Sequence, residues 1–286
     1  MEDVPRGGAS FAAPGAPMFF LPLYDDNPSR PAYVTWMLIA ACVAVFLWQS
    51  GLDPQAERLA ALQYGMVPGL LFGHTELPPQ YRAIDPWLSP LTSMFMHGGF
   101  LHLGGNMLFL WIFGNNVEEA LGRLRYLVFY ALCGYGAALF QAALDTASLV
   151  PMVGASGAIA GVLGAYALLY PKANVRTLVV VIVFFRIVTI PAAAILIGWF
   201  LMQTISGLQS APHSGGGGVA YFAHVGGFVA GAALIFVMKR RGVQLFNPPR
   251  TTAFEITPIT LPSQRRGRRG VPDSGTDPWD KPWTRR

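Results

Sequence analysis

The stretch Val153-Gly154-Ala155-Ser156-Gly157-Ala158-Ile159-Ala160 opens an uncharged run that continues to Tyr170. A run of this length and apolarity reads as a membrane-spanning helix. Ser156 is the one hydroxyl of the quoted stretch, and its Gly and Ala neighbours leave Oγ uncovered and let other backbones or a substrate come close. It falls in the first turn of the helix, where unpaired N–H groups point outward and the dipole is positive. Developing negative charge is favoured there, as in acyl transfer. A small-residue packing face would produce the same stretch, so the rest of the chain has to decide.

Composition points to a membrane protein. The chain has 286 residues, 53% hydrophobic and only 12% charged, where a soluble domain carries about 25% charged. The first 30 residues lack a long apolar core and contain Glu2, Asp3, Asp25 and Asp26, so no cleavable signal peptide is expected and the first apolar run acts as its own insertion signal. Cys42 and Cys133 both fall in apolar runs, which excludes a disulfide framework and a cysteine metal site.

Outward from Ser156, the pattern predicts six spans: Ala32–Gln49, Phe100–Val117, Tyr126–Leu144, Gly154–Tyr170, Ile187–Leu208 and Val219–Met238. Each is long enough to cross ~30 Å of hydrocarbon. Residues 1–31, rich in Gly, Pro and Ala, read as a mobile tail. Gly51–Gly99 is a long loop with two amphipathic pieces, one near Pro54–Gln63, and Trp87, Phe95 and Phe100 suit a membrane interface. Thr177–Phe185 is apolar too. A single helix from Thr177 to Leu208 would run to roughly 48 Å, so this piece is expected to dip into the interface, with Pro191 near the start of the fifth span.

With the N-terminus in the cytoplasm, 18 of the 20 Lys and Arg residues fall on the inner side, and only Arg58 and Arg82 lie outside. That is the positive-inside pattern, with both termini cytoplasmic. The net charge of +5 is largely a property of the polar, Pro-rich C-terminal segment 241–286, which is expected to be disordered. Its Arg265-Arg266-Gly267-Arg268-Arg269 run suits anionic lipid at the bilayer surface better than nucleic acid, which is not expected as a partner.

Orientation then gathers the chemistry. The second, fourth and sixth spans run from outside to inside, and each carries its polar residues near the outer end. His102 and Asn106 form an i, i+4 pair on the second, Ser156 opens the fourth, and His224 lies early in the sixth. All four lie within roughly 10 Å of the outer edge. A serine hydroxyl becomes a nucleophile when a base takes its proton, and neutral histidine can do so near pH 7. The expected roles are Ser156 as nucleophile and His224 as base, then acid for the leaving amine. His102, Asn106 and the Ser156 N–H are expected to stabilise the oxyanion, and Gly154 to keep the backbone around it open.

No Asp or Glu lies within a predicted span. This argues against paired-carboxylate proteolysis and against a carrier built on buried acids. It also leaves a Ser–His dyad without a third carboxylate. H-E-x-x-H is absent, and Gly154–Ala158 is not a G-x-S-x-G elbow. No metal and no cofactor is expected.

The pattern resembles the rhomboid family of intramembrane serine proteases over roughly residues 32–240. The G-x-S-G motif is Gly154-Ala155-Ser156-Gly157, and A-H-x-x-G-x-x-x-G is Ala223-His224, Gly227 and Gly231. H-x-x-x-N is His102 and Asn106, and G-x-x-x-E-x-x-x-G is Gly114, Glu118 and Gly122. The resemblance implies an all-α, six-helix membrane bundle whose water-filled cavity opens to the outside. It also implies peptide-bond hydrolysis in transmembrane substrates near the outer face. Gly157, Gly227 and Gly231 would let the fourth and sixth spans approach closely, and Glu118 would satisfy backbone groups at the inner boundary.

Two departures stand out. Trp87 is followed by Leu88 where some members have Trp-Arg. Ala160 stands where some members stack an aromatic ring on the base, so His224 must be held by Gly-mediated packing or by another aromatic. The lead Asp25-Asp26-Asn27-Pro28-Ser29-Arg30 resembles bacterial members, placing the chain in a bacterial inner membrane. Gln209–Gly218, with four consecutive glycines, is expected to move as substrate enters.

Overall fold

The computed structural model describes residues 18–27, 30–181, 184–210 and 220–247. The first described elements are strand β1, Met18–Asp25, and helix α1, Tyr33–Ser50. The loop that follows carries helix α2 at Pro54–Tyr64 and two single turns, α3 at Pro68–Leu71 and α4 at Ser89–Thr92. Helix α5 is Phe100–Leu121, α6 is Arg123–Ala142 and α7 is Ser156–Leu169. Strands β2, Asn174–Val181, and β3, Phe184–Pro191, precede α8, Ala192–Ser210, and α9, Tyr221–Met238.

The fold is mostly helical. Among the described residues three helices are both long and apolar enough to cross a membrane: Tyr33–Ser50, Ala192–Gln209 and Tyr221–Met238. Their outward faces are apolar, with Met37 and Leu47 on α1, Leu201 and Ile205 on α8, and Val229 and Val237 on α9 all exposed. In water such surface would be a liability; against lipid it is the required solvent face.

Helix α7 is the centre. Eleven of its 14 residues are buried, as expected of a helix that is apolar all round. It packs on α5, α6 and α9, and Phe113, Phe129 and Tyr166 fill the space between them. Towards α9 the filling is backbone. A Cβ on Gly227 would lie 2.0 Å from the Gly157 carbonyl oxygen, one on Gly231 would lie 1.9 Å from the Gly161 oxygen, and one on Gly164 would lie 2.1 Å from the Phe228 oxygen. Small residues are what let two helices approach to this distance.

At the opposite end from Ser156, Glu118 caps a neighbouring helix. Its carboxylate accepts from the Val34 and Thr35 N–H groups at 3.0 and 2.8 Å and from the Thr35 hydroxyl at 2.8 Å. These are first-turn donors of α1, which lack intrahelical partners, and negative charge is favoured there. Gly114 leaves room beneath, where a Cβ would lie 2.8 Å from the Tyr126 hydroxyl, and Gly122 turns the chain between α5 and α6 with φ of 82°.

The all-α expectation lacked one feature, a three-stranded antiparallel sheet in the order β1-β2-β3. The interfacial piece Thr177–Phe185 is strand from Thr177 to Val181 and again at Phe184–Phe185, so Ile187 begins no helix. The fifth helix starts at Ala192, directly after Pro191, which ends β3. A short β-branched run such as Val179–Val181 suits a strand as well as a buried helix, and periodicity does not separate them. The tail expected over 1–31 is likewise corrected: Met18–Asp25 pairs with β2, and Asp26 forms an ion pair with Arg176 at 3.4 Å. Segment 241–286 is ordered at its start, where Phe246 and Asn247 donate backbone N–H groups to the last-turn carbonyls of α7 at Leu168 and Leu169. The Arg265–Arg269 run and most of Gln209–Gly218 lie outside the described residues.

Candidate active site

The approach to Ser156 is fixed by the loop after α1. Met66 and Met152 exchange backbone hydrogen bonds, and the Gly154 N–H donates to the Ser93 carbonyl at 2.9 Å. Gly154 has φ of 131°, in the region that favours glycine. It turns the chain into α7, so that Ser156 is the first helical residue.

The Ser156 hydroxyl lies 2.7 Å from His224 Nε2, with the imidazole on the first turns of α9. The other ring nitrogen, Nδ1, lies 2.8 Å from Gln203 Oε1 on α8. The Trp199 ring, one turn earlier on α8, packs on the imidazole with centroids 5.7 Å apart and planes tilted by 36°. The sequence reading left His224 to be held by glycine packing or another aromatic. The structure supplies Trp199 and adds Gln203, which no motif singled out. Only the pairing of two helices brings residue 203 to residue 224.

On the other side of Gly154 stand His102 and Asn106. A Cβ on Gly154 would fall 2.8 Å from both His102 Cε1 and Nε2, and 3.7 Å from Asn106 Nδ2. Asn106 is buried, and its Nδ2 has no hydrogen-bond acceptor among the described residues. An unpaired amide donor in a buried site is costly, and this one lies beside Gly154 and His102. His97, just before α5, is buried beside His102 with ring centroids 5.3 Å apart. Burial first, and the neighbouring His102 second, push His97 down to about 4. It is therefore neutral, donating Nδ1–H to the Phe95 carbonyl at 3.2 Å, while its backbone N–H reaches Gln49 at 3.0 Å. His74, by contrast, is exposed, and its ring meets the Thr146 hydroxyl at 3.2 Å.

A cavity abuts Ser156, lined by Met94, Gly134, Ala137, Met152, Ala158 and Ala223. These small and flexible side chains make an apolar recess beside the Ser156 hydroxyl. Among the described residues no group of three or more His, Cys, Asp or Glu side chains could hold a metal ion.

Residues 85–241 match the family model of the Rhomboid domain. The chain belongs to the rhomboid family. Relatives include Rhomboid protease AarA of Providencia stuartii, 32% identical over 223 residues, which cover 70% of this chain and 70% of that protein. Rhomboid protein 1, mitochondrial, of Saccharomyces cerevisiae is 33% identical over 168 residues, 56% of this chain and 44% of its own length. Rhomboid protease GluP of Bacillus subtilis is 34% identical over 148 residues, 52% of this chain and 26% of its own. The chain thus spans under half the length of the yeast relative and about a quarter of the Bacillus one. The matched rhomboid region contains His102, Asn106, Ser156, Gln203 and His224 together.

Proposed function

We propose that this rhomboid is an intramembrane serine endopeptidase that cleaves transmembrane protein substrates near the outer membrane face with the Ser156–His224 dyad. The observation that carries the reading is the 2.7 Å contact between Ser156 Oγ and His224 Nε2 at the start of a buried helix. Ser156 O–H donates to Nε2, and as Oγ attacks the scissile carbonyl the proton passes to the imidazole. Negative charge then forms on the carbonyl oxygen. The Asn106 amide, His102 and the Ser156 N–H are the donors proposed to receive it, in a setting of small residues that excludes competing contacts. The imidazolium returns its proton to the leaving amine, and water, activated by the same base, releases the acyl group.

Six spans with both ends cytoplasmic remain part of this reading, supported by the distribution of Lys and Arg. Running from outside to inside, α5, α7 and α9 would then present their N-terminal ends, and the site, to the outer face. The recess of Gly and Ala beside Ser156 suits a small side chain next to the cleaved bond. We place the protein in a bacterial inner membrane from the Asp25–Arg30 lead; recovery of the expressed chain in that fraction of a bacterial host checks it.

The test is labelling by a fluorophosphonate in liposomes, with Ser156→Ala and His224→Ala alongside. Labelling of the wild type alone, mapped to Ser156, is expected. Hydrolysis of a transmembrane substrate that persists in Ser156→Ala would end the assignment.

A further inference from the structure

We infer that Gln203 is the positioning residue for the catalytic base: its amide oxygen holds His224 in the one neutral tautomer that can accept a proton from Ser156. The inference rests on the dyad proposed above and adds a third member to it, carried by a different helix.

A neutral imidazole has one N–H and one bare nitrogen. If the N–H were on Nε2, it would point at the Ser156 hydroxyl and could take no proton from it. Gln203 Oε1, 2.8 Å from Nδ1, can only accept. It therefore requires the N–H on Nδ1 and leaves Nε2 bare, 2.7 Å from Ser156 Oγ. Both side chains are buried, Gln203 at 7% exposure and His224 at 8%, so water does not compete freely for either nitrogen.

A carboxylate would orient the ring more strongly, but at membrane depth an ionised acid is expensive. An amide supplies the acceptor with no charge to bury. Trp199 and Gln203 are four residues apart, on one face of α8. The tryptophan ring covers the imidazole and the amide fixes its rotation. Helix α8 is otherwise bound mainly to α9, and its remaining face, with Ile197, Leu201, Met202 and Ile205, is exposed. Competence of the base thus depends on α8 being seated.

A polar residue can also be buried merely because it found a partner, and the test separates the two. Wild type, Gln203→Leu and Gln203→Glu are compared in liposomes for fluorophosphonate labelling rate, for kcat and KM on a transmembrane peptide, and by 15N NMR of histidine-labelled protein. In wild type, His224 is expected to be protonated on Nδ1. In Gln203→Leu, KM is expected to hold while kcat falls about 10- to 100-fold, short of the ~10⁴ seen when a triad base is left in the wrong tautomer, and the NMR signal shifts towards the Nε2-protonated form. Gln203→Glu, which keeps an acceptor at this position, restores most of the Leu loss.

Unchanged kcat and tautomer in Gln203→Leu would overturn the inference. So would an Nε2-protonated His224 in the wild type, which needs no variant to fold. A wild type that never labels at Ser156 removes the dyad itself, and is told apart from these outcomes because it is read without any Gln203 variant.

Discussion

The Asn106 side chain is buried and its Nδ2 meets no acceptor among the described residues. A buried donor without a partner costs about 1–3 kcal/mol, so Asn106 is expected to lower the stability of the resting protein. Replacing it with an apolar side chain of similar size removes that cost. Asn106→Leu is expected to melt at the same temperature as wild type or higher, while Ser156 labelling falls about 10²- to 10³-fold, the range for losing one oxyanion donor. Parallel melting and labelling-rate measurements check it; a variant that loses both stability and rate would make Asn106 a structural residue. The placing of this residue is legible in sequence, because the i, i+4 spacing puts it on one helix face with His102. Gln203 was not legible. Nothing in the residues near it says that α8 faces His224, and a lone glutamine in a helix carries no spacing that marks it.

Helix packing between α7 and α9 carries the 2.7 Å contact of the proposed Ser156–His224 dyad. The Gly227 and Gly231 positions meet backbone atoms of α7 at 2.0 and 1.9 Å from an added Cβ, and backbone cannot swing aside as a long side chain can. Gly231→Ala must therefore push the helices apart, at about 1–3 kcal/mol for overpacking, and draw His224 away from Ser156. Gly136→Ala is the control: its Cβ would meet only Ala230 Cβ, at 3.9 Å, and gains about 0.5–1 kcal/mol of helix preference. The pair is expected to move in opposite directions in thermal melts, with Ser156 labelling lost only in the first. The helices themselves were readable from long uncharged runs, and α1, α7 and α9 begin and end within two residues of the expected spans. The strands were not. Pro22 and a Gly- and Pro-rich lead hid β1, and β2 becomes a strand only because β1 and β3 are there to pair with it.

At the scale of the whole molecule, the sheet is tied to the helices at the end of α7 remote from Ser156. Asp25, the last residue of β1, accepts from the Tyr166 hydroxyl of α7 at 2.5 Å and from Asn116 Nδ2 of α5 at 2.8 Å. Asn27 extends the chain of contacts to Asn116 at 2.8 Å. Burial raises Asp25 from 3.8 to about 6, against the lowering effect of the Tyr166 hydrogen bond. A carboxyl whose folded value is raised binds its proton more tightly in the folded state than in the unfolded one. Its contribution is fully present below the unfolded value of 3.8 and is lost as pH rises through about 6. Docking of Met18–Asp25 is therefore expected to weaken between about pH 4 and pH 6, read as faster amide exchange of that strand once the intrinsic pH dependence of exchange is removed. Asp25→Asn, which cannot ionise, should flatten the dependence. Ser156 lies ten residues before Tyr166 on the same helix, roughly 15 Å away, so loosening of β1 is expected to leave Ser156 labelling intact. Strand protection that rises with pH over this interval, or a dependence that survives in Asp25→Asn, would show that another group governs the docking, with Asp26 and its partner Arg176 the first to be examined.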